Sequence, residues 1–265
     1  MSLEVEAIER ATLDAVPPSQ REEWPGWIAA LDSGAVSRAA SAVPLSHEAP
    51  ADIGALVERI ESVYRARQLR PMLRVPRLPA WDGVRDALVA RGYSAYKPTH
   101  LLVGDLGRVA AMPRDADVSL VGTPDEAWAS VFLGEGFDAQ DAQSRIGILR
   151  RSLRSTFAHA SLDGRVAAVG AIVIAGEWCG IHAMRTAPAF RGRGLAGQVM
   201  AALARHAAGR GARRVFLQVE ENNAPAHAAY ARAGFAAGWA YDYWRARAMP
   251  AASPLPPMRA GAVGA

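Results

Sequence analysis

The stretch Thr186-Ala187-Pro188-Ala189-Phe190-Arg191-Gly192-Arg193-Gly194-Leu195-Ala196-Gly197 constrains this chain more than any other. It follows a segment of strand character, Cys179–Thr186, and opens an Ala/Leu-rich segment, Leu195–Gly209. In the latter, apolar Leu195, Val199, Leu203 and Ala207 recur at helical spacing. A strand that turns through glycines into a helix presents the helix's unpartnered first N–H groups and its positive dipole end at the turn, where phosphate is stabilised. Gly192 and Gly194 remove side chains where a pyrophosphate would approach the main chain, and they tolerate positive φ. Arg191 and Arg193 add charge, while Ala196 and Gly197 keep the first turn open. Dinucleotide and P-loop readings fail, because there is no third glycine at the dinucleotide spacing and no Gly-Lys-Ser/Thr.

Around this turn the pattern predicts a mixed strand and helix unit. Thr156–Leu162 and Val166–Ala175 read as a hairpin across Asp163-Gly164. Arg214–Val219 reads as a short strand, Ala224–Ala233 as a helix stopped by Gly234, and Phe235–Arg245 as a final strand. Pro124–Arg154 reads as one or two helices. Upstream, Trp27–Leu31 and Ser37–Pro44 suggest a hairpin across Asp32–Gly34. Asp52–Gln68 is an amphipathic helix with Ile53, Leu56, Val57, Ile60 and Val63 on one side. Met72–Val75 then reads as a strand, Pro79–Arg91 as a helix, and Tyr93–Val103 as a strand. Helix, Arg-Gly-Tyr, strand there echoes helix, Ala-Gly-Phe, strand at Gly234-Phe235, which suggests an internal duplication. Gly104–Asp117 reads as a break between halves and Pro250–Ala265 as a mobile tail. The expected division is residues 1–110, residues 111–249 and the tail 250–265.

Composition limits the partners. The net charge is +4, yet Lys97 is the only lysine, and the arginines are scattered or grouped, as in Arg145–Arg154 and Arg205–Arg214, in what read as solvated helix faces. That distribution, with abundant alanine, points to a GC-rich bacterial genome and argues against nucleic acid. No run of membrane length appears, and Glu4, Glu6 and Glu9 at the N-terminus argue against secretion. The single cysteine, Cys179, allows no internal disulfide or cysteine zinc cluster. The expectation is a cytoplasmic protein without metal, a monomer or homodimer.

The glycine turn resembles the acyl-coenzyme A signature of the GNAT acetyltransferases, Gln/Arg-x-x-Gly-x-Gly/Ala, with Arg191, Gly194 and Ala196 in its three defined positions. Thr186-x-Pro188 is similar to the end of that family's fourth strand. Asn223-x-x-Ala226-x-x-x-Tyr230-x-x-x-Gly234-Phe235 resembles its second signature. The resemblance is close over about Val166 to Arg245 and loose in the first half, where no such turn occurs. It implies an α+β fold, a mostly antiparallel twisted sheet flanked by helices, in two tandem halves of which the first is degenerate. It also implies transfer of an acetyl group from acetyl-CoA to a primary amine, on a small molecule or peptide, by direct attack in a ternary complex. A non-catalytic acyl-CoA sensor is the alternative.

Residue roles follow from the resemblance. Main-chain groups of Met184, Arg185 and Thr186 would pair with the pantetheine amides, and Arg191, Gly192, Arg193, Gly194, Leu195, Ala196 and Gly197 would hold the pyrophosphate. Asn223 would contact the pantetheine, cap the following helix, or do both. Tyr230 is the candidate donor to the leaving thiolate, with a core tyrosine as the alternative. The family's glutamate on the fourth strand falls on Gly180, so that base is missing. Glu220, Glu177, Glu221 and His182 lie nearer the expected strand ends and compete for the role, as does water. Cys179 lacks partners for covalent catalysis. Trp24, Trp27, Trp81, Tyr93 and Tyr96 read as core.

Overall fold

The computed structural model describes residues 4–113, 117–134 and 138–247, so the expected tail lies outside them. The first half runs α1 (Val5–Ala15), β1 (Gln20–Trp24), β2 (Trp27–Leu31), β3 (Ala42–Pro44), α2 (Ile53–Arg65), β4 (Met72–Pro76), α3 (Asp82–Ala90) and β5 (Tyr93–Asp105). The second runs α4 (Leu106–Ala110), β6 (Asp117–Val121), α5 (Glu126–Phe132), α6 (Ala139–Arg150), β7 (Ser155–Leu162), β8 (Arg165–Ala175) and β9 (Trp178–Thr186). It ends with α7 (Leu195–Ala208), β10 (Arg214–Glu220), α8 (Ala224–Arg232) and β11 (Ala236–Ala246).

Local chemistry accounts for many of these boundaries. Asp163 and Gly164 both have positive φ, 53° and 72°, the requirement of a tight hairpin whose twist matches its strands. Asp52, Asp105, Asp125, Asp138 and Asn223 each cap the helix that follows, accepting a backbone N–H with the side chain. On α2, Leu56, Val57, Ile60 and Val63 are buried against Leu73 and Val75, as the spacing predicts.

All described strands form one sheet in the order β1-β2-β3-β4-β11-β5-β10-β9-β8-β7-β6. Its neighbours are antiparallel except β3/β4 and β9/β10, which are parallel. The order is pseudo-symmetric about the β11/β5 pair, and the symmetry includes an exchange. β5 follows α3 but pairs with β10, and β11 follows α8 but pairs with β4. β5 and β11 also pair with each other. α1, α5 and α6 cover one face, while α2, α3, α4, α7 and α8 cover the other.

Four expectations need correction. Helix α1 has no counterpart in the sequence reading; it lies on the sheet centre through Ile8, Ala11 and Ala15. The expected Trp27–Leu31/Ser37–Pro44 hairpin keeps only β2 and the three residues of β3, because Ser37–Ala40 is a 3-10 turn. The start of the expected break at Gly104–Asp117 is folded, since β5 runs on to Asp105 and Leu106 and Val109 of α4 enter the core. Nor are the grouped arginines merely solvated: Arg205 donates to Ala110 O at 2.9 Å and Arg151 to Asp32 at 2.6 Å.

A candidate acyl-donor cleft

β9 and β10 are bridged only from Trp178/Arg214 to Ile181/Leu217, although both strands continue. Beyond that point β9 bends. Ala183 takes φ 53°, and the register with β8 slips between Val169/Arg185 and Ala171/His182, the mark of a bulge. Gly170 makes the bend possible, because a Cβ there would collide with the Met184 sulfur. The strands therefore diverge, and the stretch of β9 carrying Met184, Arg185 and Thr186 keeps β8 on one edge but has no strand on the other among the described residues. Such an edge takes an extended amide-bearing chain as it would take another strand. The Arg185 guanidinium turns away, 4.1 Å from the Phe132 ring centroid.

The glycine turn completes the cleft. Gly192 and Gly194 have φ 77° and 75°, and a Cβ on either would meet nothing within 4 Å. Gly194 is the N-cap of α7, with no side chain closing the helix end. The N–H groups of Leu195 and Ala196 open that first turn, while the Gly197 N–H donates to Gly194 O at 3.0 Å. Arg191 and Arg193 are exposed beside it. Phe190 sits between Arg193 and Arg165, with guanidinium carbons 5.7 and 5.5 Å from its ring centroid. Open space, free donors and cations are what a pyrophosphate needs. The matching helix of the first half, α2, has its N-terminus closed by the Asp52 carboxylate, a charge that repels phosphate.

Tyr230 on α8 packs its ring against Phe235 at 5.9 Å between centroids. Burial pushes its phenol above the usual range, against a smaller opposing pull from Arg38. Arg38 stands in the 3-10 turn between β2 and β3. Its charge also acts on His182, Tyr241 and Tyr243, so it sits where these groups converge. Asn223 accepts the Ala226 N–H at 3.2 Å and caps α8; its amide group is exposed.

The base candidates separate. Glu177 lies in the turn before β9, where its carbonyl accepts the N–H groups of Arg213 and Arg214. That is the closed end of the strand pair, so Glu177 is not brought to the cleft. Glu221 bridges His100 (3.2 Å) and Arg77 (2.8 Å), which hold its carboxyl below the usual carboxylate range. His182 is buried and within 3.3 Å of Ser155, and burial, with Arg38, lowers it to about 3; it is too weak a base for an ammonium. Burial pushes the Cys179 thiol up to about 12, so it is inert. Glu220, exposed at the end of β10, lines a cavity of about 110 Å³.

That cavity brings together residues the sequence did not single out for the site. Arg38, Lys97, Gln218, Tyr241 and Tyr243 line it with Glu220. Gln218 is the hub: its carbonyl accepts from Arg38 and from the Tyr241 hydroxyl, both at 3.1 Å, and its amide donates to Thr12 of α1 at 3.2 Å. The one available signal was the alternation of Tyr241 and Tyr243 on a single strand. Of the aromatic residues expected in the core, Trp27, Trp81 and Tyr93 are there. Trp24 lies at the edge of that cluster, and Tyr96 stacks beside Tyr243 at 5.7 Å.

The fold is shared with known proteins. The Kribbella flavida GCN5-related N-acetyltransferase superposes with a TM-score of 0.68 at 17% identity, over 94% of this chain and 98% of that one. A tandem GNAT protein from the clavulanic acid biosynthesis pathway superposes with a TM-score of 0.61 at 18% identity, over 92% of this chain and 95% of that one. These two show the GNAT fold. In sequence, the chain is 28% identical over 227 residues to the probable histone acetyltransferase Rv0428c of Mycobacterium tuberculosis, covering 82% of this chain and 66% of that protein's length. Residues 2–244 match the family model described as probable histone acetyltransferase Rv0428c, C-terminal, and the chain belongs to that family.

Proposed function

We propose that the chain is an N-acetyltransferase that moves an acetyl group from acetyl-CoA to a primary amine by direct attack in a ternary complex. The observation that carries this reading is the opening of β9 from β10 beside a helix N-terminus left without a side-chain cap. Acetyl-CoA supplies an acyl carbon activated as a thioester. Main-chain groups of Met184, Arg185 and Thr186 align the pantetheine, and Arg191 through Gly197 hold the pyrophosphate. The exposed Asn223 amide borders the same opening.

The amine must lose a proton before its lone pair can attack the thioester carbon. Arg38 disfavours a second positive charge near it and so promotes the neutral amine. Glu220, directly or through water, takes the proton. As the C–S bond breaks, Tyr230 donates to the departing sulfur; its raised phenol stays protonated through neutral pH. In this reading residues 111–249 hold the donor, and residues 1–110 shape the acceptor side through Arg38 and Lys97. We place the activity in the cytoplasm, where a lone buried thiol stays reduced.

The test is a panel of amines incubated with acetyl-CoA while free thiol is followed. Amine-dependent thiol release supports the transferase. Binding of acetyl-CoA without release above background for any amine replaces it with the sensor reading.

A further inference from the structure

The acceptor cavity is charged in an unexpected sense. Arg38, Lys97 and Arg145 line it against one carboxylate, Glu220. Arg145 is answered by Asp141 at 2.6 Å. Arg38 donates to the neutral Gln218. Among the described residues, neither Arg38 nor Lys97 has a carboxylate within ion-pair distance. Glu220 is the one carboxylate on the cavity wall, and Glu9, which feels Arg38 from the core, is already paired with Arg74. The cations therefore raise each other's free energy, and a further anion beside them relieves that.

The backbone is distorted at one of the two. Lys97, the only lysine of the chain, has φ 46°. It lies in a bulge of β5: Thr99 pairs with Tyr241 and Tyr96 with Tyr243, three steps on one strand against two on the other. Thr99 pins the bulge by donating its hydroxyl to the Lys97 carbonyl at 2.8 Å. Bulges re-aim a side chain at the cost of a ladder position, and this one brings a lysine to the cavity wall. Arg38 reaches the same cavity from a 3-10 turn fastened to β10 through Gln218.

We propose that Arg38 and Lys97 form an anion site for the acceptor, so that the preferred amine carries a carboxylate a few bonds from its nitrogen. The two cations hold the carboxylate, and the amine end faces Glu220 and the mouth of the opening between β9 and β10. A cavity of about 110 Å³ suits an acceptor of amino-acid size. A polycationic lysine-rich peptide meets repulsion from the same pair. The chemistry rests on the transferase reading, whereas the binding geometry does not.

The experiment measures binding and turnover separately. Protein saturated with CoA is titrated calorimetrically with α- and ω-amino acids, each beside its own carboxamide, and with a lysine-rich peptide. At least one acid is expected to bind about tenfold more tightly than its amide. Arg38→Gln and Lys97→Gln, each checked for an unchanged circular dichroism spectrum, are expected to bring that ratio close to one. Should Arg38→Gln misfold, the half-exposed Lys97 variant decides alone. No preference in any pair, tighter binding of the lysine-rich peptide, or a preference that survives substitution overturns the anion site. Thiol release from acetyl-CoA is followed with the same compounds. Acid preference in binding without thiol release leaves the anion site standing and removes the transferase. Thiol release favouring amides or the peptide does the reverse.

Discussion

Phe216 stands over Gly180 so closely that a Cβ on the glycine would lie 2.5 Å from its Cζ. The two are direct partners across the parallel β9/β10 pair. The position that carries a glutamate in some relatives of this fold is therefore filled from the neighbouring strand. Gly180→Ala is expected to cost about 1–3 kcal/mol through overpacking, read from the urea midpoint. Combination with Phe216→Val should recover part of the loss. Gly180→Glu is expected to give no rise in kcat, and a rise would return the base to β9.

Tyr230→Phe is expected to lower kcat by about 10²-fold, the scale of a lost proton donor. KM for acetyl-CoA should be unchanged, because the hydroxyl acts on the departing sulfur. Since burial raises this phenol above its ordinary range, any alkaline limb from its ionisation should lie above that of a free phenol. A Phe variant with full turnover would leave Tyr230 as a packing residue.

Gly194→Asp places a carboxylate at the open N-terminus of α7. Asp tolerates the left-handed conformation better than most residues, so the φ of 75° is a modest obstacle to folding. Acetyl-CoA affinity measured by calorimetry should be lost while the far-ultraviolet spectrum stays unchanged. Retained affinity would move the pyrophosphate elsewhere.

His182 gives the fold an acid limit. Its folded value of about 3 lies below its ordinary 6.5, so the native state binds the proton less well than the unfolded chain. Its contribution is complete above pH 6.5 and is lost as pH falls toward 3, at up to about 1.4 kcal/mol per unit. His182→Gln should flatten this part of the stability profile relative to the parent protein. Parallel profiles for the two proteins would place the acid sensitivity in other groups.

The exchange of β5 and β11 predicts one cooperative unfolding transition. Removing β11 by truncation after Gly234 takes a central strand from between β4 and β5. Fluorescence of Trp27 and Trp81 in the first half should then report unfolding together with loss of acetyl-CoA binding in the second. A truncated chain that still bound acetyl-CoA would make the second half independent.

The glycine turn and the elements around it were legible because their signals are local. Asp163-Gly164 fixes a hairpin by its own dihedrals, and Gly194 opens α7 within the same dozen residues that name the turn. Glu177 was misplaced because an isolated strand does not reveal which end of its pairing stays closed. α1 is not marked in the sequence because Glu4 provides no side-chain cap and half of its apolar positions are alanine. The five residues of α4 are too few for a period, although Leu106 and Val109 are buried. Lys97, Gln218 and Tyr241 meet only through pairings of β5 with β10 and β11, and Arg38 joins them from the 3-10 turn before β3 through its bond to Gln218. Each is separated from its partners by long stretches of chain, which no window of sequence spans.

The traded strands also bear on descent. Once two copies of a gene encode products that each complete the other's sheet, neither copy can be deleted, shuffled to a new partner or expressed alone. In the first half Asp52 closes the N-terminus of α2, yet that half still contributes β5 to the middle of the shared sheet. Inheritance in such a pair is joint, and a change on the β5 side is selected through what it does to chemistry encoded more than a hundred codons away.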